Sequence, residues 1–132
     1  MTRFLINLLL LSLPALCAAA GQPAISFDKT DHDFGNIGEG KGTVTCTFTY
    51  TNTGSAPLAL VTVSTPCDCT SADFSPRPLA PGKSAKIKVT FNPKGRSGQF
   101  KSTITVRTNI RRPDGKRQKE TLTISGNVIP RK

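Results

Sequence analysis

The chain has 132 residues, a formal net charge of +10, four cysteines and a single histidine. That length admits one domain with a modest core. One histidine, no nucleophile-elbow or zinc-protease pattern and no evident carboxylate pair leave catalysis little to stand on, so thiols are the only reactive candidates.

Arg3 precedes an apolar run from Phe4 to Leu13, which is too short to cross a bilayer, since a span needs ~20 apolar residues. Ala18-Ala19-Ala20 supplies the small residues of a cleavage site. The segment 1–20 therefore reads as a signal peptide cut after Ala20. It leaves a mature domain 21–132 exported to the periplasm or beyond the cell. A lipid anchor on Cys17 is the alternative, disfavoured by Leu16 where a small residue is needed. No later segment is long and apolar enough to span a membrane. The leader holds one basic residue and no acid, so the mature chain stays strongly basic. In an exported protein such charge points to anionic surfaces, glycans or acidic proteins rather than nucleic acid, and solubility is the plainer reading.

Ala24–Asp28 alternates and reads as a first strand. His32–Gly35 reads as a short continuation with the option of switching sheets. Gly35 to Gly42 holds four glycines in eight residues and reads as a loop. Its Gly35–Lys41 portion matches the start of a phosphate loop. Gly42 stands where Ser or Thr is required, and a strand follows instead of a helix, so nucleotide binding is rejected. His32 sits between Asp31 and Asp33 and reads as solvated rather than as a metal ligand or pH-sensitive group.

Thr43–Thr51 alternates strictly, with Val44, Cys46, Phe48 and Tyr50 on one face and threonines on the other. It is the clearest half-buried strand in the chain. Asn52-Thr53-Gly54-Ser55 turns. Leu58–Val63 is a short apolar run without a clean period, read as a central strand with apolar contact on both faces or as one with a bulge. It delivers Cys67 and Cys69 to a loop at one end of the domain.

Ser71–Gly82 carries three prolines and reads mostly as loop, with a short edge strand at Ala72–Phe74. Ser84–Phe91 alternates with Ile87, Val89 and Phe91 inward. Gln99–Thr108 turns Phe100, Ile104 and Val106 inward. Pro113-Asp114-Gly115 forms the tip of a basic hairpin, and Glu120–Ile129 returns with Leu122, Ile124 and Val128 inward. No window holds helical periodicity over three turns. About seven strands with turn-rich links predict an all-β, immunoglobulin-like sandwich. No Trp is present and no cysteine lies on Gln99–Thr108, so Cys46 reads as a small buried apolar residue.

Seven segments in this order span nearly the whole mature chain: Phe34-Gly35-Asn36-Ile37 with Gly40; Phe48-Thr49-Tyr50-Thr51-Asn52-Thr53-Gly54; Pro57-Leu58; Cys67-Asp68-Cys69-Thr70; Leu79-Ala80-Pro81-Gly82; Val89-Thr90-Phe91-Asn92-Pro93; and Ile124-Ser125-Gly126-Asn127-Val128. In these the chain resembles the exported bacterial family called domain of unknown function 1573 (DUF1573). That family is similar to Hydin-like and major-sperm-protein-like immunoglobulin folds. The resemblance implies a seven-stranded sandwich and an envelope location, and it brings no activity with it. The family usually places Gly between the two cysteines, where Asp68 stands here.

Two stretches carry candidate chemistry. On an extended strand Cys67 and Cys69 would have Cα atoms roughly 6.5–7 Å apart, whereas disulfides prefer about 5.5–6 Å. A bond between them needs a bend, which Pro66 favours, and the small ring would be easily reduced. The readings are a structural disulfide, redox or intermolecular chemistry, a two-thiolate site for a soft ion such as Cu(I), or idle thiols. Zinc lacks its four ligands. The second stretch is Arg111, Arg112, Lys116, Arg117 and Lys119, whose guanidinium forks suit a carboxylate- or phosphate-rich partner. The plainer reading is a solvated loop. The expected function is a non-enzymatic, exported module without a cofactor, binding or scaffolding envelope components through its strand edges and basic hairpin. The alternative is a copper-binding or redox partner protein acting through Cys67 and Cys69.

Overall fold

Eight strands and one 3-10 turn, Glu39–Lys41, make up a computed structural model that describes residues 21–131. The expected leader, with Cys17, lies outside the described residues. The strands are β1 (Ile25–Phe27), β2 (Asp31–Gly38), β3 (Val44–Asn52), β4 (Leu60–Ser64), β5 (Thr70–Asp73), β6 (Ser84–Phe91), β7 (Gly98–Arg111) and β8 (Arg117–Ile129). They form two four-stranded sheets, ordered β1-β3-β6-β5 and β2-β8-β7-β4.

Strict alternation in β3 and β6 makes them the centre of the first sheet. They pair antiparallel without interruption from Val44↔Phe91 to Thr51↔Ser84. This register turns Cys46, Phe48 and Tyr50 to the same side as Ile87, Val89 and Phe91, and all six are buried. The long β7 and β8 do the same for the second sheet, sending Ile104, Val106, Leu122 and Ile124 into the interior at 0 % exposure. The two inner faces fill the core between them, as in an aligned sandwich. Phe91 of one sheet stacks on Phe100 of the other, with centroids 4.1 Å apart and rings nearly parallel.

The sheet switch offered by His32–Gly35 occurs: β1 pairs with β3, and β2 joins the opposite sheet beside β8. The glycine-rich stretch is not all loop. β2 continues to Gly38, running parallel to β8, with a register shift between Asp33 and Asn36. Gly35 sits in that shift at φ +72°, a value glycine adopts without strain, and Asp33 accepts its N–H at 2.8 Å. A glycine-rich composition here marks a bulged edge strand rather than a break.

The Leu58–Val63 strand is not central. β4 is an edge strand of the second sheet, paired only with β7. The other half of that reading holds, because the register shifts between Leu60 and Thr62 and leaves Val61 39 % exposed. Leu58 stands just outside β4, fully buried, bridged to Leu79. The short edge strand runs Thr70–Asp73 rather than Ala72–Phe74, and the strand count is eight rather than about seven.

All four sheet edges are blunted. β1 and β5 are three and four residues long, and β2 and β4 each carry a register shift. Short or bulged edges are poor templates for an added strand.

Two candidate sites at opposite ends of the sandwich

β7 and β8 continue to pair with each other as far as Arg111↔Arg117, past the last β4 partner Thr108 and the first β2 partner Thr123. The ladder slips between Arg107 and Arg111. Thr108 occupies the slip fully buried: its hydroxyl donates to Gln118 O at 3.2 Å and accepts the Ile110 N–H at 3.1 Å. Beyond it the chain turns through Arg112–Lys116. Gly115 N–H donates to Arg112 O and Arg112 N–H to Lys116 O, both at 2.8 Å. Gly115 takes φ +86°, and Asp114 accepts the Lys116 N–H at 2.9 Å. This is a type I turn closed by a left-handed residue, the geometry that Pro-Asp-Gly favours in a hairpin.

The expected cations Arg111, Arg112, Lys116, Arg117 and Lys119 come together around one open recess, and Arg107 joins them. Arg107 lies opposite Lys119, and Arg111 opposite Arg117. Asp114 is the sole acid lining that recess. Its pair with Arg112, at 3.6 Å and half exposed on both sides, contributes little to stability. Arg111 also donates from Nη1 to Gly115 O at 3.0 Å, which fixes one guanidinium against the turn. An array of forked cations with one counter-charge attracts carboxylates, sulfates or phosphates.

At the other end, the chain bends between β4 and β5 and brings Cys67 and Cys69 together. Their Cα atoms stand 5.3 Å apart, and their sulfurs are in bonding contact. The bend closes with Thr70 N–H donating to Cys67 O at 3.3 Å, while Asn92 N–H donates to Cys69 O at 2.8 Å. Thr70 is buried, and its hydroxyl lies 3.6 Å from Cys69 Sγ and 3.9 Å from Cys67 Sγ. Both cysteines are half-buried, while Asp68 between them is exposed. The recess over them is lined on its far side by Asn92, Lys94 and Arg96 from the β6–β7 turn. Arg96 sits over the Phe91 ring at 5.8 Å. Gly95 N–H donates to Glu39 at 2.9 Å, and that carboxylate also accepts the Arg131 N–H at 3.0 Å. These two backbone donors hold the Glu39 carboxyl below its usual range.

The third cysteine, Cys46, is buried on β3 as expected, and burial pushes its thiol up. His32 packs edge-on against Phe34 at 4.7 Å and accepts from Lys29 Nζ at 3.0 Å. Desolvation and then the Lys29 charge lower it, opposed by Asp33 and Asp31. Among the described residues, no group of three or more His, Cys, Asp or Glu side chains gathers where one ion could sit. The roles of Thr70, Arg107 and Glu39 were not visible in the sequence. Only Thr70's place next to Cys69 hinted at one.

Two four-stranded sheets packed face to face around a buried apolar core, almost without helix, define an immunoglobulin-like domain. The family profile described as "Protein of unknown function (DUF1573)" matches residues 25–128, and the chain belongs to that family. A protein of unknown function from Porphyromonas gingivalis W83 is similar at 18 % identity and a TM-score of 0.66, over 86 % of this chain and 51 % of its own. The ASH/PapD-like domain 7 of human CEP192 is similar at 11 % identity and a TM-score of 0.67, over 99 % of this chain and 100 % of its own. The Vibrio cholerae VesB protease is similar at 20 % identity and a TM-score of 0.58, over 78 % of this chain but only 31 % of its own. This chain thus spans about half of the Porphyromonas protein and about a third of the protease, and these likenesses show the fold alone. No curated protein matches the sequence.

Proposed function

We propose that this is an exported, non-enzymatic immunoglobulin-like module of the bacterial envelope that holds a polyanionic partner at its β7–β8 hairpin. The observation that carries the reading is the hairpin recess itself, where six cations face one aspartate. Strand addition is a weaker mode of contact, because every edge is short or carries a register shift. The leader-like segment 1–20 supports export, and the filled core supports a surface role rather than a buried reaction chamber.

Retention on immobilised heparin tests the proposal. Replacing Arg111, Arg112, Lys116, Arg117 and Lys119 with Gln should at least halve the salt needed for elution. A control variant replaces five exposed cations elsewhere: Arg77, Lys83, Lys86, Lys88 and Lys101. It should elute close to the parent. Equal losses in the two variants would reduce the hairpin to a share of the bulk charge and sink the reading.

A further inference from the structure

We propose that Cys67 and Cys69 form a redox-active pair that exchanges a disulfide with an external dithiol, and that Thr70 with Lys94 and Arg96 is built around that exchange.

Consider first what a bond between these residues does for the fold. The ring encloses one intervening residue, Asp68, so it restricts the unfolded chain about as little as any cross-link can. The loop is already held by Thr70 N–H on Cys67 O and Asn92 N–H on Cys69 O. These ties hold the loop backbone independently of the sulfur–sulfur bond. A structural role leaves the rest of the site unexplained.

The surroundings suit thiolates instead. Both cysteines are half-buried, open to an incoming sulfur yet partly shielded from water. Lys94 and Arg96 line the same recess, and cations beside a thiol favour its anion and attract an attacking one. The buried Thr70 hydroxyl can donate to a sulfur anion and stands closer to Cys69 than to Cys67. That difference assigns the roles. A partner thiolate attacks Cys67 Sγ, and the Cys67–Cys69 bond breaks with its electron pair leaving on Cys69 Sγ, which Thr70 stabilises. The partner's second thiolate then attacks its own sulfur in the mixed disulfide and expels Cys67. Two electrons pass from the partner dithiol to the pair. The partner leaves as a disulfide, and its two protons end on Cys67 and Cys69. Run backwards, the same steps oxidise this protein. Cys46 is buried on β3, so among the described residues no other thiol is exposed to compete.

β7 separates this site from the hairpin. Its fourteen residues span about 45 Å, so the two proposals stand or fall independently.

The test equilibrates the purified protein with mixtures of reduced and oxidised glutathione, traps free thiols with a maleimide and counts them by mass spectrometry. Two thiols should appear and disappear together in the native protein, within the range such mixtures cover. Reduction by dithiothreitol at pH 7 should slow at least threefold in Thr70→Val and in Lys94→Gln/Arg96→Gln. Thr70→Ser, which restores the hydroxyl, should recover the parent rate. Heparin retention should be the same for the Cys67→Ser/Cys69→Ser variant as for the parent. A pair that stays oxidised in every glutathione mixture until the fold is lost would overturn the proposal. So would thiols that never pair in oxidised glutathione and instead take up Cu(I), or parental rates in both the Thr70→Val and the double variant.

Discussion

Asn52 Nδ2 donates to the carbonyl of Leu79 at 2.9 Å, across 27 residues of chain. The same buried amide donates to Ala56 O at 2.8 Å and accepts the N–H groups of Gly54 at 2.9 Å and Ala24 at 3.4 Å. Its side chain thereby joins the segment before β1, the β3–β4 turn and the loop leading to β6. Its backbone adds bonds to Lys83 O and from Gly82 N–H.

Asn52→Ala would leave several backbone groups without partners at a site that is 0 % exposed. Each such loss costs about 1–3 kcal/mol. The expected destabilisation is about 3 kcal/mol or more, read as a lower urea midpoint at unchanged slope. A change below 1 kcal/mol would mean that water reaches the turn and replaces the amide.

Phe48 and Val61 test the two-layer packing. Phe48 is fully buried between the sheets, whereas Val61 bulges outward from edge strand β4. Phe48→Ala should cost about 3–5 kcal/mol, and Val61→Thr should stay within about 0.5 kcal/mol. Comparable losses at both sites would contradict the placement of β4 at an edge.

His32 makes stability depend on pH in one direction. Its folded-state pKa lies below the ordinary 6.5, first through desolvation and then through the Lys29 ammonium that donates to its ring. In this range the unfolded chain binds the extra proton more readily than the folded one. The contribution is therefore complete above pH 6.5 and is lost as pH falls through the lowered value. Asp31 and Asp33 oppose the shift without cancelling it. The melting temperature should fall from pH 7.5 to pH 5.5, and His32→Asn should flatten that part of the profile.

Glu39 should behave as a clasp between the end of β2, the β6–β7 turn and Arg131. In Glu39→Ala the Gly95 and Arg131 amides lose their acceptor and should exchange with solvent faster, which hydrogen exchange reads directly. The depressed carboxyl adds stability that is present above its unfolded value of 4.5 and is lost as pH falls through the lower folded value. Gly95 lies between Lys94 and Arg96, so the same variant should also loosen the cations facing the cysteines.

Strands whose side chains alternate were legible in the sequence. β6 and β8 bury the set of residues their period predicts, and β3 and β7 do so, Cys46 included, except that Val44 and Phe100 are only partly buried against the core. Leu58–Val63 misled because a short apolar run looks alike in a central strand and in a bulged edge. Gly35–Gly38 misled because glycine marks a bulge as readily as a break. The hairpin cluster was legible, since its turn chemistry and charges are local. Arg107 was missed because only the slipped β7–β8 register sets it among them. The Asn52 bonds to Leu79 and Ala24 and the Glu39 bonds to Gly95 and Arg131 span 27 to 92 residues of sequence, and no local pattern encodes those four.

The irregular margins of the two sheets bear on how these molecules behave together. Among the described residues neighbouring copies find no long, flat rim to zipper onto, and mutual charge repulsion adds to that. Such margins disfavour the seeding of fibrils between neighbouring copies.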